Sequence, residues 1–389
     1  MAGIFYLQGS FVNLQFMNNL ETMKKVLYML LAVMVLTACG QRQQEVADAN
    51  LDYAKGLTIT RYRDYTKVAV LDPWNNGKVL QTYLLVPRDK AVPDTLPQGT
   101  VVRVPLQNVL VYSDVHARAL KELGCVAAVR GVCDGKYFKT PEIVAGLADG
   151  TVTDCGSSMA PAIESVVGIS PEAILLSPFQ NAGYGALANI GVPILELADY
   201  METNPLGRAE WMKFFGMLFD REAVADSIFS SVADNYNRLA ATVKNVPHRP
   251  TVISETVTSG VWYVPGGASY KATLYADAGA DYPWADDTSA GSLQLDFAQV
   301  LDKAQNADFW LLTTYGYELT RRAMLDIYPH NDQFAAFGKG SVYYFNSAVV
   351  PLFEETAFHP DLLLKEYTGI FHPDKVPGYE LSYFKRMEE

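Results

Sequence analysis

The side chains able to do chemistry are sparse and scattered. Five histidines stand at His116, His248, His330, His359 and His372, and no two of them form a metal-ligand pair at helical spacing. Imidazole suits iron or haem, so His116 is a ligand candidate, with a structural place in the first turn of a helix as its rival. Capture of a bare transition metal is disfavoured, and a preformed complex suits the sequence better. The four cysteines include no Cys-x-x-Cys pair, so no structural zinc and no bound metal is expected. A flat or chelated ligand wants aromatic faces with a few polar groups. Trp262 and Tyr263, just before Pro265-Gly266-Gly267, are the leading candidates, against core packing. Trp74 in Asp72-Pro73-Trp74-Asn75-Asn76-Gly77, Tyr184 after a strand end, and Tyr315 in Thr313-Thr314-Tyr315-Gly316-Tyr317 occupy loops of the kind where binding residues collect.

No motif for chemistry of the chain's own is present. There is no Gly-x-Ser-x-Gly elbow, no His-Glu-x-x-His, no phosphate-binding loop and no Gly-x-Gly-x-x-Gly opening a helix. A secreted hydrolase using paired carboxylates is the competing class, but no enzyme, no catalytic residue and no cofactor are expected.

The elements that must position these residues read as α/β. With 389 residues, two lobes are expected. Hydrophobic residues at 49% and charged residues at 19% exclude a disordered chain. A net charge of −12 argues against nucleic acid as a partner. Strands are expected over 67–71, 81–86, 101–104, 109–112, 126–129, 173–176 and 193–197, with a helix over 116–123 capped by Ser113-Asp114. Asn204 and Pro205 open a helical stretch. Asp220 reads as the cap of a second helix of about 25 residues, about 37 Å at 1.5 Å per residue, long enough to join two lobes. The rival is a helix packed within one domain. Beyond Pro250 the α/β alternation restarts, with strands over 251–254, 262–264, 309–313 and 342–345 and helices over 271–278, 298–304 and 362–367. The expected division is an upstream extension and leader over 1–38, a tether over 39–56, an N-terminal lobe over 57–205, connecting helices over 206–246 and a C-terminal lobe over 247–389.

The start of the chain reads as an export signal. Met23-Lys24-Lys25 precedes an apolar run over Val26 to Ala38, too short for a stable membrane span and suited to a signal peptide. It ends in Leu36-Thr37-Ala38-Cys39-Gly40, which resembles the lipobox of bacterial lipoproteins, a family in which the Cys is lipidated. A cleaved secretion signal is the alternative. Cleavage before Cys39 removes Lys24, Lys25 and Glu21 and takes the net charge from −12 to −13. In an oxidising compartment Cys125, Cys133 and Cys155 suggest one disulfide and one free thiol, with Cys133–Cys155 and Cys125–Cys133 both open; a catalytic cysteine is the weaker alternative.

Several stretches, in order, carry a family resemblance. They are Ser113-Asp114-Val115-His116, the run Ala162-Ile163-Glu164-Ser165-Val166-Val167-Gly168-Ile169-Ser170-Pro171-Glu172 leading into Ala173-Ile174-Leu175-Leu176, then Gly191-Val192-Pro193-Ile194. Further on come Gly260-Val261-Trp262-Tyr263-Val264-Pro265-Gly266-Gly267, Asp277-Ala278-Gly279 and Phe371-His372-Pro373. The chain resembles the substrate-binding proteins of bacterial ABC importers for iron chelates, haem and cobalamin, with one long helix between the lobes. That resemblance implies a ligand cleft between two α/β lobes, with Trp74, Ser113, His116, Tyr184, Trp262, Tyr263 and Tyr315 as ligand-binding candidates. It implies docking on a permease with its ATPase through one surface carboxylate per lobe. Glu164 matches the N-lobe position, with a plain solvated residue as the alternative; at the C-lobe position this chain has Ala298, and Asp296 is the nearest carboxylate. The expected protein is a monomer, lipid-anchored through Cys39 to the inner membrane and facing the periplasm, and small closure follows from the rigid helix.

Overall fold

The computed structural model describes residues 51–388 and the backbone of a short strand, β1 (Glu45–Asp48). The expected leader, Cys39 and the first part of the tether lie outside the described residues. Past the tether, β2 (Leu57–Tyr62), β3 (Thr66–Leu71), β4 (Val79–Pro87) and β5 (Thr100–Val104) pair in sequence order, antiparallel except for β4 with β5. The incoming chain is pinned by two carboxylates. Fully buried Glu210 accepts the backbone N–H groups of Asp52, Tyr53 and Ala54, and Glu202 accepts those of Lys55 and Gly56.

The N-terminal lobe is a parallel sheet in the order β12-β11-β6-β7-β8, made of β6 (Val109–Val111), β7 (Val129–Val132), β8 (Thr153–Asp154), β11 (Ala173–Leu176) and β12 (Ile194–Glu196). Every residue of β6 and β11 is buried, as the unbroken apolar runs VLV and AILL require of strands covered on both faces. Between β8 and β11 lies a small hairpin of β9 (Gly156–Ser157) and β10 (Ala160–Pro161). Helices α1 (Asp114–Glu122), α2 (Pro141–Asp149) and α3 (Ile163–Gly168) connect the strands.

The helical stretch is broken twice. Asn204 caps α4 (Pro205–Glu210) by accepting from the N–H groups of Leu206 and Gly207. After α5 (Met212–Phe219), Asp220 adopts φ 55° and ends that helix rather than capping the next. Then α6 (Glu222–Val243) runs 22 residues, about 33 Å. Its Ala225 packs into the N-lobe core while Phe229, Val232, Ala233 and Tyr236 belong to the C-lobe core, so the helix bridges the two.

The C-terminal lobe holds a second sheet, β13-β17-β18-β19, from β13 (Val252–Ser254), β17 (Phe309–Thr314), β18 (Val342–Asn346) and β19 (Lys385–Arg386), parallel except at β19. A three-stranded antiparallel sheet of β14 (Val257–Thr258), β15 (Val261–Pro265) and β16 (Ser292–Leu295) adjoins it, with α7 (Tyr270–Asp277) and α8 (Phe297–Ala304) following its strands. A second crossing was not legible in the sequence. After β18 the chain returns to the first lobe, where α9 (Leu352–Thr356) packs on α1 and Phe358 meets Phe215 in the N-lobe core at 5.5 Å. The closing helix α10 (Pro360–Phe371) carries fully buried Glu366, whose carboxylate accepts from the N–H groups of Ser382, Tyr383 and Phe384 and from the Tyr379 hydroxyl. The molecule is thus a two-lobed α/β structure.

Candidate functional site

Each lobe opens a cavity at the carboxyl ends of its parallel strands, where open α/β sheets place ligands. The N-lobe cavity has a volume of about 540 Å³. Its floor is Tyr112 and Ser113 after β6, Leu176 at the end of β11 and Ser177 after it; Met159 from the β9–β10 turn, Phe179 and Tyr184 form its walls. Met159 is 80% exposed and Phe179 50%, an outlay of apolar surface left uncovered by the described residues. Tyr184 is held from behind: its hydroxyl donates to Glu196 Oε1 at 2.5 Å, and Gln81 Nε2 donates to the other oxygen at 2.5 Å. Burial, with the Glu196 carboxylate added, holds the Tyr184 phenol well above its ordinary pKa, so it stays a neutral donor.

The C-lobe cavity has a volume of about 700 Å³ and a different chemistry. It is lined by Glu255 and Thr256 after β13, Thr313 of β17, Tyr263 of β15, Tyr317, and Ser269, Tyr270 and Lys271 at the start of α7. Glu255 sits in the left-handed region at φ 62°, a conformation that costs a non-glycine residue about 1–3 kcal/mol. Four contacts hold it there. Its N–H donates to Leu311 O at 2.9 Å, its carbonyl accepts from Trp310 Nε1 at 2.7 Å, and Lys271 Nζ meets its carboxylate at 2.5 Å. The fourth is packing beneath it, where the Trp262 and Trp310 rings stack at 5.5 Å and Trp262 Nε1 donates to Ser254 O. Burial pulls the Lys271 pKa down, but the Glu255 charge and hydrogen bond together with Tyr275 outweigh it, and the ammonium is held above its ordinary value. A smaller chamber of about 150 Å³ shares Glu255, Tyr270, Lys271 and Thr313 and is bounded by Arg208, whose guanidinium lies 5.8 Å from the Tyr270 ring centre.

The residues singled out in the sequence divide three ways. Ser113 and Tyr184 line the N-lobe cavity and Tyr263, 44% exposed, lines the C-lobe one. Trp74 and Tyr315 lie in the expected loops but line neither cavity; Trp74 is half-buried in a turn whose N–H groups Asp72 accepts, and Tyr317 takes the lining position in place of Tyr315. Trp262 and His116 are buried and line neither cavity. Trp262 has no exposed surface and serves the core, because alternation along β15 turns it inward where it turns Tyr263 outward. His116 is also buried, and its Nε2 lies 3.0 Å from Asp199 Oδ1, which Arg208 meets from the other side at 3.1 Å. Burial alone would raise the Asp199 pKa, but His116 and Arg208 outweigh it and hold the carboxylate below its ordinary value. That imidazole is tied through Nε2 to Asp199, away from both cavities, while its Nδ1 is buried without a hydrogen-bond partner among the described residues.

The surface carboxylates differ as well. Glu164 is exposed in the first turn of α3. Asp296 is exposed too, but it caps α8: its Oδ1 accepts the Gln299 N–H at 2.8 Å, and Gln299 Oε1 accepts the Asp296 N–H at 2.9 Å. Cys125, Cys133 and Cys155 are free thiols, where one disulfide was expected, and Cys125 packs with a different core cluster from the other two. Met159, Phe179, Glu255, Lys271 and Arg208 escaped the sequence reading. Only Glu255 had a legible signal, its place directly after a strand.

With that geometry in hand, similarity to known proteins is informative. An uncharacterized lipoprotein of Methanocaldococcus jannaschii is 26% identical over 359 residues, covering 86% of this chain and 84% of its own. Among solved structures, an ABC-type Fe3+-hydroxamate transport protein from Saccharomonospora viridis superposes with a TM-score of 0.53 at 16% identity, covering 69% of this chain and 94% of that one. A periplasmic haem-binding protein from Pseudomonas aeruginosa gives a TM-score of 0.56 at 15% identity, covering 73% and 99%. The periplasmic binding protein family is matched over residues 117–337, more than half of the sequence. The chain belongs to the periplasmic binding protein family.

Proposed function

We propose that this protein captures an iron–siderophore-type chelate in the cleft between its lobes and delivers it to an ABC permease with its ATPase, without chemistry of its own. The observation that carries the reading is the pair of cavities at strand carboxyl ends. One offers aromatic and apolar walls and the other an ordered Glu255–Lys271 pair with tyrosine hydroxyls. Such a pair suits a ligand with one apolar and one polar side. The Fe3+-hydroxamate protein named above has the same fold. Haem or cobalamin in the same role is the second reading, favoured by the apolar and aromatic wall of Met159, Phe179 and Tyr184 and by the fold shared with the haem-binding protein.

Glu164 is the proposed N-lobe contact with the permease. Asp296 is the C-lobe one, its second oxygen serving while the first caps α8. Exposed charges of this kind orient an encounter more than they tighten it. Cys39 is the proposed lipidation site, anchoring a monomer to the inner membrane on its periplasmic side. Residues 57–205 and 247–389 act as the two gripping lobes. Both α6 and the return segment through Phe358 resist large rotation, so closure is small; a rotation of tens of degrees between empty and loaded crystal structures would contradict this.

Intrinsic tryptophan fluorescence tests the ligand class, because Trp262 and Trp310 lie directly under the C-lobe cavity. The full chain is titrated in parallel with ferric siderophores, haem and cobalamin. Saturable quenching by ferric siderophores at micromolar or lower concentration is expected. Quenching by haem or cobalamin alone supports the second reading, silence with all three defeats both, and turnover of a soluble substrate would bring back the hydrolase.

A further inference from the structure

Beneath the N-lobe cavity lie two thiols that no ligand role uses. In the parallel pair β7–β8 the partners are Gly131 with Thr153 and Val132 with Asp154, and the Cys155 N–H continues the ladder to Val132 O at 2.8 Å. The next opposed residues are Cys133 and Cys155. Laterally opposed residues of parallel strands point to one face. Strands lie about 4.8 Å apart, inside the range of about 4.4–6.8 Å that Cα atoms of a disulfide span. Two observations place both sulfurs on that face. Cys133 and Cys155 are fully buried in one cluster with Leu110, Val166 and Ile174. Gly131, two residues before Cys133 and so on the same face, would carry a Cβ only 3.4 Å from Cys155 Sγ, which therefore leans over β7. The Tyr112 hydroxyl adjoins the Cys133 thiol, and the Tyr112 ring is part of the cavity floor.

We propose that Cys133 and Cys155 form a dithiol–disulfide pair that, when oxidised, staples β7 to the segment carrying the Met159 hairpin. Two S–H bonds break and one S–S bond forms; the two electrons and two protons pass to the disulfide of a thiol oxidoreductase, which becomes a dithiol. Thiol exchange proceeds through the thiolate, and burial pushes Cys133 up to about 12 and Cys155 up to about 11. The folded lobe therefore protects whichever state it closes on, and the pair is set while the strands assemble. Cys125, in the other core, takes no part. The pairing is independent of which ligand the cleft takes, and a glutathione arm makes its test independent of export as well.

The full chain is unfolded under reducing conditions, refolded in oxidised and reduced glutathione or with a disulfide-carrying oxidoreductase, acid-quenched, alkylated and mapped by mass spectrometry. The expected product is two hydrogens lighter, contains one Cys133–Cys155 cross-linked peptide and is alkylated at Cys39 and Cys125. Its thermal midpoint exceeds that of the reduced form by about 5 °C. The Cys125→Ser variant keeps this difference and the Cys133→Ser/Cys155→Ser variant loses it. Four alkylated thiols under every condition, or a cross-link that includes Cys39 or Cys125, overturns the proposal; because the mapping uses the wild-type chain, poor folding of a variant does not shield it.

Discussion

The two cavities sit at equivalent places in their lobes yet are built in opposite ways. The C-lobe cavity rests on the core: Glu255, strained at φ 62°, is locked by Trp262 and Trp310 below and by Lys271 beside it. The N-lobe cavity is walled by a short hairpin tip and a loop, and its largest apolar contributors, Met159 and Phe179, stand in solvent. One site is fixed by core packing and an ion pair, and the other is walled by exposed apolar side chains. Orientation of a ligand belongs to the first, and contact area belongs to the second.

The largest test of that difference is stability. Trp262→Ala removes a fully buried indole from beneath the C-lobe cavity and is expected to cost about 3–5 kcal/mol in urea unfolding. Phe179→Ala, in the exposed wall, is expected to fall within about 0.5 kcal/mol of wild type. Equal losses would show that both cavities are part of the core.

Binding reverses the ranking. The Met159→Ala/Phe179→Ala double variant removes apolar area that a ligand would cover, and a loss of about 2 kcal/mol, roughly thirtyfold in Kd by fluorescence titration, is expected. Unchanged affinity would place the ligand wholly against the C-lobe. Lys271→Met comes next, at about tenfold for a ligand carrying carboxylates. It leaves Glu255 unpaired beside the ligand, so a neutral ligand is expected to lose less, and an equal loss for both would mean that the pair shapes the cavity without reading charge.

The C-lobe cavity also shows where sequence reading stops. Strand and helix identities were legible because apolar runs such as AILL and FWLLT and the Asn204-Pro205 start are local signals. Within β15, two adjacent aromatics looked equally suited to a ligand, and only the sheet's facing separates them: Trp262 inward, Tyr263 outward. The surroundings of His116 were hidden for a related reason, since its partner Asp199 is 83 residues away. The break at Asp220 depends on a left-handed backbone that Asp tolerates and that composition does not announce. The return of the chain through Phe358 to the first lobe is a long-range contact with no periodic signature.

The smallest effect concerns the seam that ties the two lobes together, where His359, just before α10, reaches back to α1. Its Nε2 lies 2.6 Å from Glu122 Oε2 and its Nδ1 3.7 Å from Asp361, with Arg118 and Glu355 paired alongside at 3.0 Å. Burial lowers the imidazole pKa, but the Glu122 hydrogen bond and charge, with Asp361, outweigh it and leave the pKa above 6.5. A raised pKa means that the folded state holds the proton more tightly than the unfolded one. The resulting stabilisation is complete below about pH 6.5, and it is lost as pH rises through the folded-state value. His359→Gln is therefore expected to cost up to about 1 kcal/mol at pH 6 and progressively less toward pH 9, measured by urea unfolding at each pH. If this seam, rather than either cavity, limits lobe movement, ligand Kd in wild type will shift over the same pH interval and will be flat in His359→Gln. A flat wild-type profile would leave α6 and the Phe358 packing as the elements that fix the lobes.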